Sequence, residues 1–179
     1  QAEDGIRDSV ASRGLGDVYK RQLLFILIGC SKEPINMDEM LIERDQVYYT
    51  KDTNQPYSGP VFSLHENGQL EAEGTLKDGK RNGPNKEYYD NGQLQAEGTL
   101  KDGTLDGFGR GYYKNGQLQA EVSMKDNKLD GSFKLYHENG QLSIEATFKD
   151  GKEDGVSKVY DENGQVLSEA LYKDGELVE

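Results

Sequence analysis

The chain has 179 residues, an ordinary single domain's worth, with 33 Asp+Glu against 21 Lys+Arg and a formal net charge of −12. That balance lacks the basic footprint that binding to phosphate backbones demands, so nucleic acid is excluded as a partner class. A single Cys and two His, in no CxxC or HExxH pattern, exclude an internal disulfide and a zinc site, and 5 Phe beside 11 Tyr leave too few aliphatic residues for a thick two-layer core.

The chain starts at Gln1, and residues 1–22 share neither composition nor period with anything downstream. They resemble translated sequencing-adapter read-through at the ends of gene fragments assembled from environmental DNA, and are set aside from fold reasoning. Residues 23–30 (LLFILIGC) form the only strongly apolar run, preceded by Lys20 and Arg21. Eight residues fall short of the roughly 20 a helix needs to span a bilayer. The run fits the end of a truncated signal peptide, and Leu27-Ile28-Gly29-Cys30 resembles a bacterial lipobox. Cys30 is therefore the expected lipidation site, an anchor at about 0.8 kcal/mol per buried CH₂. Ser31, where Asp would signal retention, resembles the pattern of outer-membrane sorting. Residues 31–46 read as a linker.

Beyond residue 60 one unit is written five times. NGQL starts at Asn67, Asn91, Asn115 and Asn139 and returns as NGQV at Asn163, every 24 residues. The Lys-Asp pair keeps the same spacing, and Gly83, Gly107, Gly131 and Gly155 close four units. A fixed period in this range marks a repeat architecture whose units bury apolar surface only against neighbours. Gly59 falls 24 residues before Gly83, so 47–60 read as a degenerate capping repeat ahead of five units over 61–179.

Within a unit, Leu94 to Leu100 alternates small or apolar residues with Gln95, Glu97 and Thr99, the period of a strand. Asp90-Asn91-Gly92 supplies turn residues, so each unit is a β-hairpin. The second turn, KDGxxxG, reads as longer and Gly-rich. The fold class expected is all-β: an elongated antiparallel meander of hairpins in a single sheet, roughly 50 Å long at about 4.8 Å per strand. The column Leu64, Tyr88, Tyr112, Tyr136, Tyr160 is steadier than His65, Tyr89, Tyr113, His137, Asp161. This favours a three-residue loop with Tyr88 opposite Leu94. The expected structural ladder is Tyr88, Tyr112, Tyr136 and Tyr160 beside Leu94, Leu118 and Leu142, with Leu76, Leu100, Met124 and Phe148. Glu73, Glu97, Glu121, Glu145 and Glu169 are then expected on the opposite face. His65 and His137, three units and about 30 Å apart, cannot share a metal.

The unit, with its Tyr, NG turn, KDG and closing Gly, resembles the MORN repeat variant of the YwqK family of bacterial proteins, labelled antitoxin components of toxin-antitoxin systems. The resemblance covers residues 47–179 and implies an all-β repeat sheet and, more loosely, a protein-binding or neutralising role. No cofactor is expected. Exposed tyrosines such as Tyr89 and Tyr113 are candidates for stacking on carbohydrate, and the Glu column for presenting an acidic stripe to a basic protein. The turn acids Asp78, Asp102, Asp126, Asp150 and Asp174 each stand beside a Lys and read as turn formers rather than calcium ligands. No nucleophile and base stand in a recognisable arrangement, so no catalytic residue and no enzyme activity are expected. The protein expected is a lipid-anchored binding module of the bacterial envelope with an unidentified protein partner. A cell-wall-binding module or a passive structural protein is the alternative.

Overall fold

The computed structural model describes residues 32–178. The readings of 1–22, of the apolar run 23–30 and of Cys30 lie outside them. Ile35–Asn36 (β1) leads into one helical turn, Met37–Met40 (α1), capped by the Asn36 side chain, then Leu41–Arg44 (β2) and Val47–Thr50 (β3). Strands and turns follow: β4 (Gly59–Leu64), β5 (Leu70–Lys77), β6 (Lys80–Arg81), β7 (Gly83–Tyr88), β8 (Leu94–Lys101), β9 (Thr104–Tyr112), β10 (Leu118–Lys125) and β11 (Lys128–Tyr136), then β12 (Leu142–Lys149), β13 (Lys152–Glu153), β14 (Gly155–Tyr160), β15 (Val166–Lys173) and β16 (Glu176–Leu177). Fourteen strands form one sheet in near-sequential order from β1 to β16, open at both ends. The meander of hairpins expected from the sequence is the fold.

Two kinds of turn alternate along the edges. At the NG turn, Tyr89 N–H donates to Gln93 O and Gly92 N–H to Tyr89 O, both at 2.8 Å, enclosing the three-residue loop Asp90-Asn91-Gly92. Gly92 has φ +82°, a left-handed conformation that glycine adopts without a Cβ penalty. Tyr88 pairs with Leu94, as the columns predict. The second turn is tighter than expected. Lys77 pairs directly with Lys80, leaving the two-residue loop Asp78-Gly79 at φ +51° and +77°, both of the sign a type I′ hairpin requires. The extra residues assigned to that turn lie instead in the strand junction between β6 and β7.

Beyond the NG turn the pairing steps from Tyr88↔Leu94 to Glu87↔Ala96, leaving Gln95 as a β-bulge. The bulge recurs between Ser63/Leu64, Leu118/Ala120, Leu135/Tyr136 and Val159/Tyr160. One extra residue flips the phase of everything beyond it. Leu94 therefore shares a face with Tyr88, but Ala96, Gly98 and Leu100 point to the other. This corrects two expectations. Leu76, Leu100, Met124 and Phe148 lie on the face away from the tyrosines, and the Glu column lies on the tyrosine face, since Lys86 pairs with Glu73 and Glu97 and is two residues from Tyr88.

The segment expected as a linker is also structured. β1 pairs in parallel with β4 and forms that edge of the sheet, while α1 and the β2–β3 hairpin cover the apolar face of the first unit. Met37, Leu41, Val61 and Leu76 form the buried core, the last at 1% exposure, with Ile35, Tyr48 and Tyr57 against it. The stretch 47–60, expected as a degenerate repeat, is divided: Val47–Thr50 pairs with β2 in a separate two-stranded sheet, and Gly59 and Pro60 open β4.

Candidate interaction surface

The sheet presents two chemically different faces. On the tyrosine face the central row crosses nine strands in register: Glu73↔Lys86↔Glu97↔Arg110↔Glu121↔Lys134↔Glu145↔Lys158↔Glu169. Every glutamate of the expected acidic stripe thus faces a cation across the ladder, the arrangement that favours opposite charges as cross-strand pairs. Arg110 closes on both neighbours, at 3.0 Å to Glu121 and 3.8 Å to Glu97, and Lys158 lies 3.3 Å from Glu169. Burial works against the Glu121 carboxylate, but the Arg110 guanidinium and the Tyr136 hydroxyl together hold it below the ordinary range. The row is a self-neutralised strip, not an acidic surface. The four cations were legible in the sequence, but their place opposite the glutamates required the bulge to be known.

The tyrosines stitch the units together. Each ladder hydroxyl donates to a glutamate of the preceding unit: Tyr88 to Glu73 at 2.7 Å, Tyr112 to Glu97 at 2.9 Å, Tyr136 to Glu121 at 2.9 Å and Tyr160 to Glu145 at 2.5 Å. The carbonyl of the same Tyr accepts a ring-borne donor from that preceding unit. His65 Nε2 donates to Tyr88 O, Tyr89 Oη to Tyr112 O, Tyr113 Oη to Tyr136 O and His137 Nε2 to Tyr160 O, at 2.7–3.1 Å. Tyr89 and Tyr113, singled out as exposed stacking platforms, are half-buried, and Lys114 Nζ lies 5.4 Å from the Tyr89 ring centre. The two histidines serve the same purpose in different units. What the variable column shares is a donor carried on a ring, a signal present in the sequence once polarity rather than bulk is compared. In the fifth unit Asp161 takes this place and turns inward, accepting from Asn163 N and Gln165 N of its own loop.

Ionisation of the ladder phenols is opposed by burial and by the facing glutamates. Burial first, and then the Glu73 carboxylate, push the Tyr88 phenol well above its ordinary value of 10.0. Tyr160 is pushed up to about 12, first by its hydrogen bond to Glu145, and Tyr112 and Tyr136 are raised by burial and by Glu97 and Glu121. Because these values are raised in the folded state, the stability they contribute is complete below the unfolded value of about 10 and is lost as pH climbs through the folded ones. Tyrosinate absorbance is thus expected to lag between pH of about 10 and 12 and then to rise together with loss of the β-sheet circular dichroism signal. Full ionisation of the ladder tyrosines near pH 10 with the sheet intact would refute the linkage.

The second face is apolar and has no charge ladder. One row reads Ser63, Ala72, Glu87, Ala96, Gly111, Ala120, Leu135, Ile144, Val159, Ser168, again in register. Beside it run Val61, Asn85, Gly98, Gly109, Val122, Phe133 and Ala146, where Phe133 meets Phe148 edge-on at 5.6 Å. The cap covers this face only over the first unit. Past Asn85 it opens as a shallow groove of about 290 Å³ lined by Ala96, Gly98, Leu100, Leu105, Gly109 and Val122. Leu105 lies across the Gly98↔Gly109 pair, where an added Cβ would stand 2.6 and 2.7 Å from its methyls. Among the described residues no cluster of His, Cys, Asp or Glu could hold a metal, and no helix is long and apolar enough to cross a membrane. A shallow strip with this largely apolar lining suits binding through packing.

The chain matches the MORN repeat variant model five times, over residues 57–78, 81–102, 105–126, 129–150 and 153–174, the greater part of its length. No curated protein matches it. The matched segments start every 24 residues, each running from the strand before one NG turn to the Asp of the following KDG turn. The chain belongs to the MORN repeat variant family.

Proposed function

We propose that the protein is a non-enzymatic, lipid-anchored module of the bacterial envelope that binds a protein through the apolar face of its repeat sheet, in the manner of an antitoxin or immunity component of the YwqK type. Anchoring is assigned to Cys30 and sorting to the outer membrane. One observation carries the binding surface: the two faces differ in what they leave unsatisfied. The tyrosine face pairs its glutamates in register and closes its phenols, whereas the apolar face continues past the cap with none of the described residues layered over it. The side chains along it are half-buried rather than sealed, and a contiguous, partly accessible apolar strip marks an interaction site.

Immobilised protein should capture a stoichiometric partner from an envelope extract of the source organism or a close relative and hold it at high salt, since hydrophobic contacts are not screened. Ala120→Glu, which places a charge in the groove without opening a cavity, should cut that capture at least about tenfold, the effect of burying one unpaired carboxylate. Release by salt together with indifference to Ala120→Glu would return the binding site to the charged face. Retention of the anchor by Cys30→Ser would contradict lipidation.

A further inference from the structure

Asn-Gly is the dipeptide most prone to deamidation, and this chain repeats it at the tip of every unit. In the reaction the Gly backbone nitrogen attacks the Asn Cγ and forms a bond to it. The Cγ–Nδ2 bond breaks, ammonia leaves carrying the proton from the peptide nitrogen, and a five-membered succinimide results. Water then opens the ring at either carbonyl to give Asp or isoAsp. Attack requires Cγ to swing over the following nitrogen, so bonds that hold the Asn amide slow it.

The five turns hold that amide differently. Asn67, Asn115 and Asn139 are pinned at both ends. Their Oδ1 accepts from the N–H of Gln69, Gln117 and Gln141 at 2.9 Å, and their Nδ2 donates to Asp90 O, Glu138 O and Glu162 O of the next unit at 2.8–3.2 Å. Asn91 keeps the first bond, from Gln93 N at 3.0 Å, and no Nδ2 partner among the described residues. At Asn163 the first bond is gone as well, because the Asp161 carboxylate takes Gln165 N–H at 2.8 Å. Its exposed amide keeps only a hydrogen bond to that same carboxylate within its own loop. We infer that Asn163 is the site of spontaneous succinimide-mediated deamidation in this protein, and that Asp161 makes it so by displacing the Asn163 carbonyl from its turn. In the inner units the same change would replace a donor by a carboxylate against the carbonyl it bonds, so the pinning protects the contacts between units.

Tryptic cleavage separates all five turns, with Asn163 in 159–173, Asn139 in 135–149 and Asn91 in 87–101. After incubation of the folded full chain at mildly alkaline pH, mass spectrometry should show the Asn163 turn converting at least about fivefold faster than the doubly pinned turns, the factor expected when one ordinary hydrogen bond fewer must break and the one left, to Asp161, is to a side chain that can move with it. Asn91 should lie between. Denaturation in urea should bring the five together. Asp161→Tyr frees Gln165 N–H and should slow Asn163 to the Asn91 rate, and the reciprocal Tyr113→Asp should speed Asn115. Equal rates in all five folded turns, a faster inner turn, or an Asn163 rate unmoved by Asp161→Tyr would overturn the inference.

Discussion

Leu76→Ala is expected to destabilise the folded chain by about 2–5 kcal/mol, the range for removing a fully buried leucine when its surroundings cannot collapse. Leu76 is 1% exposed, beneath Met37 and Leu41 and beside Val61, the only place among the described residues where a second layer covers the sheet. The corresponding residue one unit on, Leu100, is only half-buried in the open groove, so Leu100→Ala should cost less than half as much. Urea unfolding gives both values. Because each unit leans only on its neighbours, hydrogen exchange after Leu76→Ala should accelerate over β4 and β5 before it does over β12. Equal costs for the two leucines would mean that the cap adds nothing to the sheet.

Gly79→Ala is expected to cost about 2–5 kcal/mol, a left-handed conformation forced on an L residue together with overpacking. At Gly79, φ is +77°, and an added Cβ would stand 2.4 Å from Val47 Cγ1 and 2.8 Å from Tyr48 O, a backbone atom that cannot rotate aside. This glycine also fastens the cap, donating to Tyr57 O and accepting from Tyr48 N, both at 2.8 Å. The equivalent Gly103 has φ +90° with nothing within 4 Å of a built Cβ. Gly103→Ala should therefore show the backbone penalty alone, about 1–2 kcal/mol. Indistinguishable melting curves for the two variants would separate the β2–β3 hairpin from the first turn and undo the account of how the apolar face is covered.

Much of the architecture was legible in the sequence because a repeat offers five readings of one position. Comparing columns was enough to choose the three-residue NG loop and to pair Tyr88 with Leu94. What escaped was the bulge at Gln95 and its equivalents, since a strict period of two across Leu94 to Leu100 already looked complete. That one residue moved Leu100 off the tyrosine face and brought Glu97 onto it, turning an apparent acidic stripe into a ladder neutralised by Lys86, Arg110, Lys134 and Lys158. The cap escaped for another reason. Residues 35–44 occur once, so no second copy showed that Met37 and Leu41 stand four residues apart to cover Val61 and Leu76. The site suffered most from reading bulk before polarity: Tyr89 and His137 share no size or charge, only a donor at the end of a ring.

Leu135 and Lys134 are neighbours on β11 that point to opposite faces, Leu135 pairing with Ala120 and Ile144, Lys134 with Glu121 and Glu145. Placing a photo-cross-linking amino acid at each in turn, and irradiating in an envelope extract, tests the apolar face as the binding surface most directly. Cross-linking of one protein species from position 135 and none from 134 is the result the account predicts. The same species captured from 134 and not from 135 would contradict it.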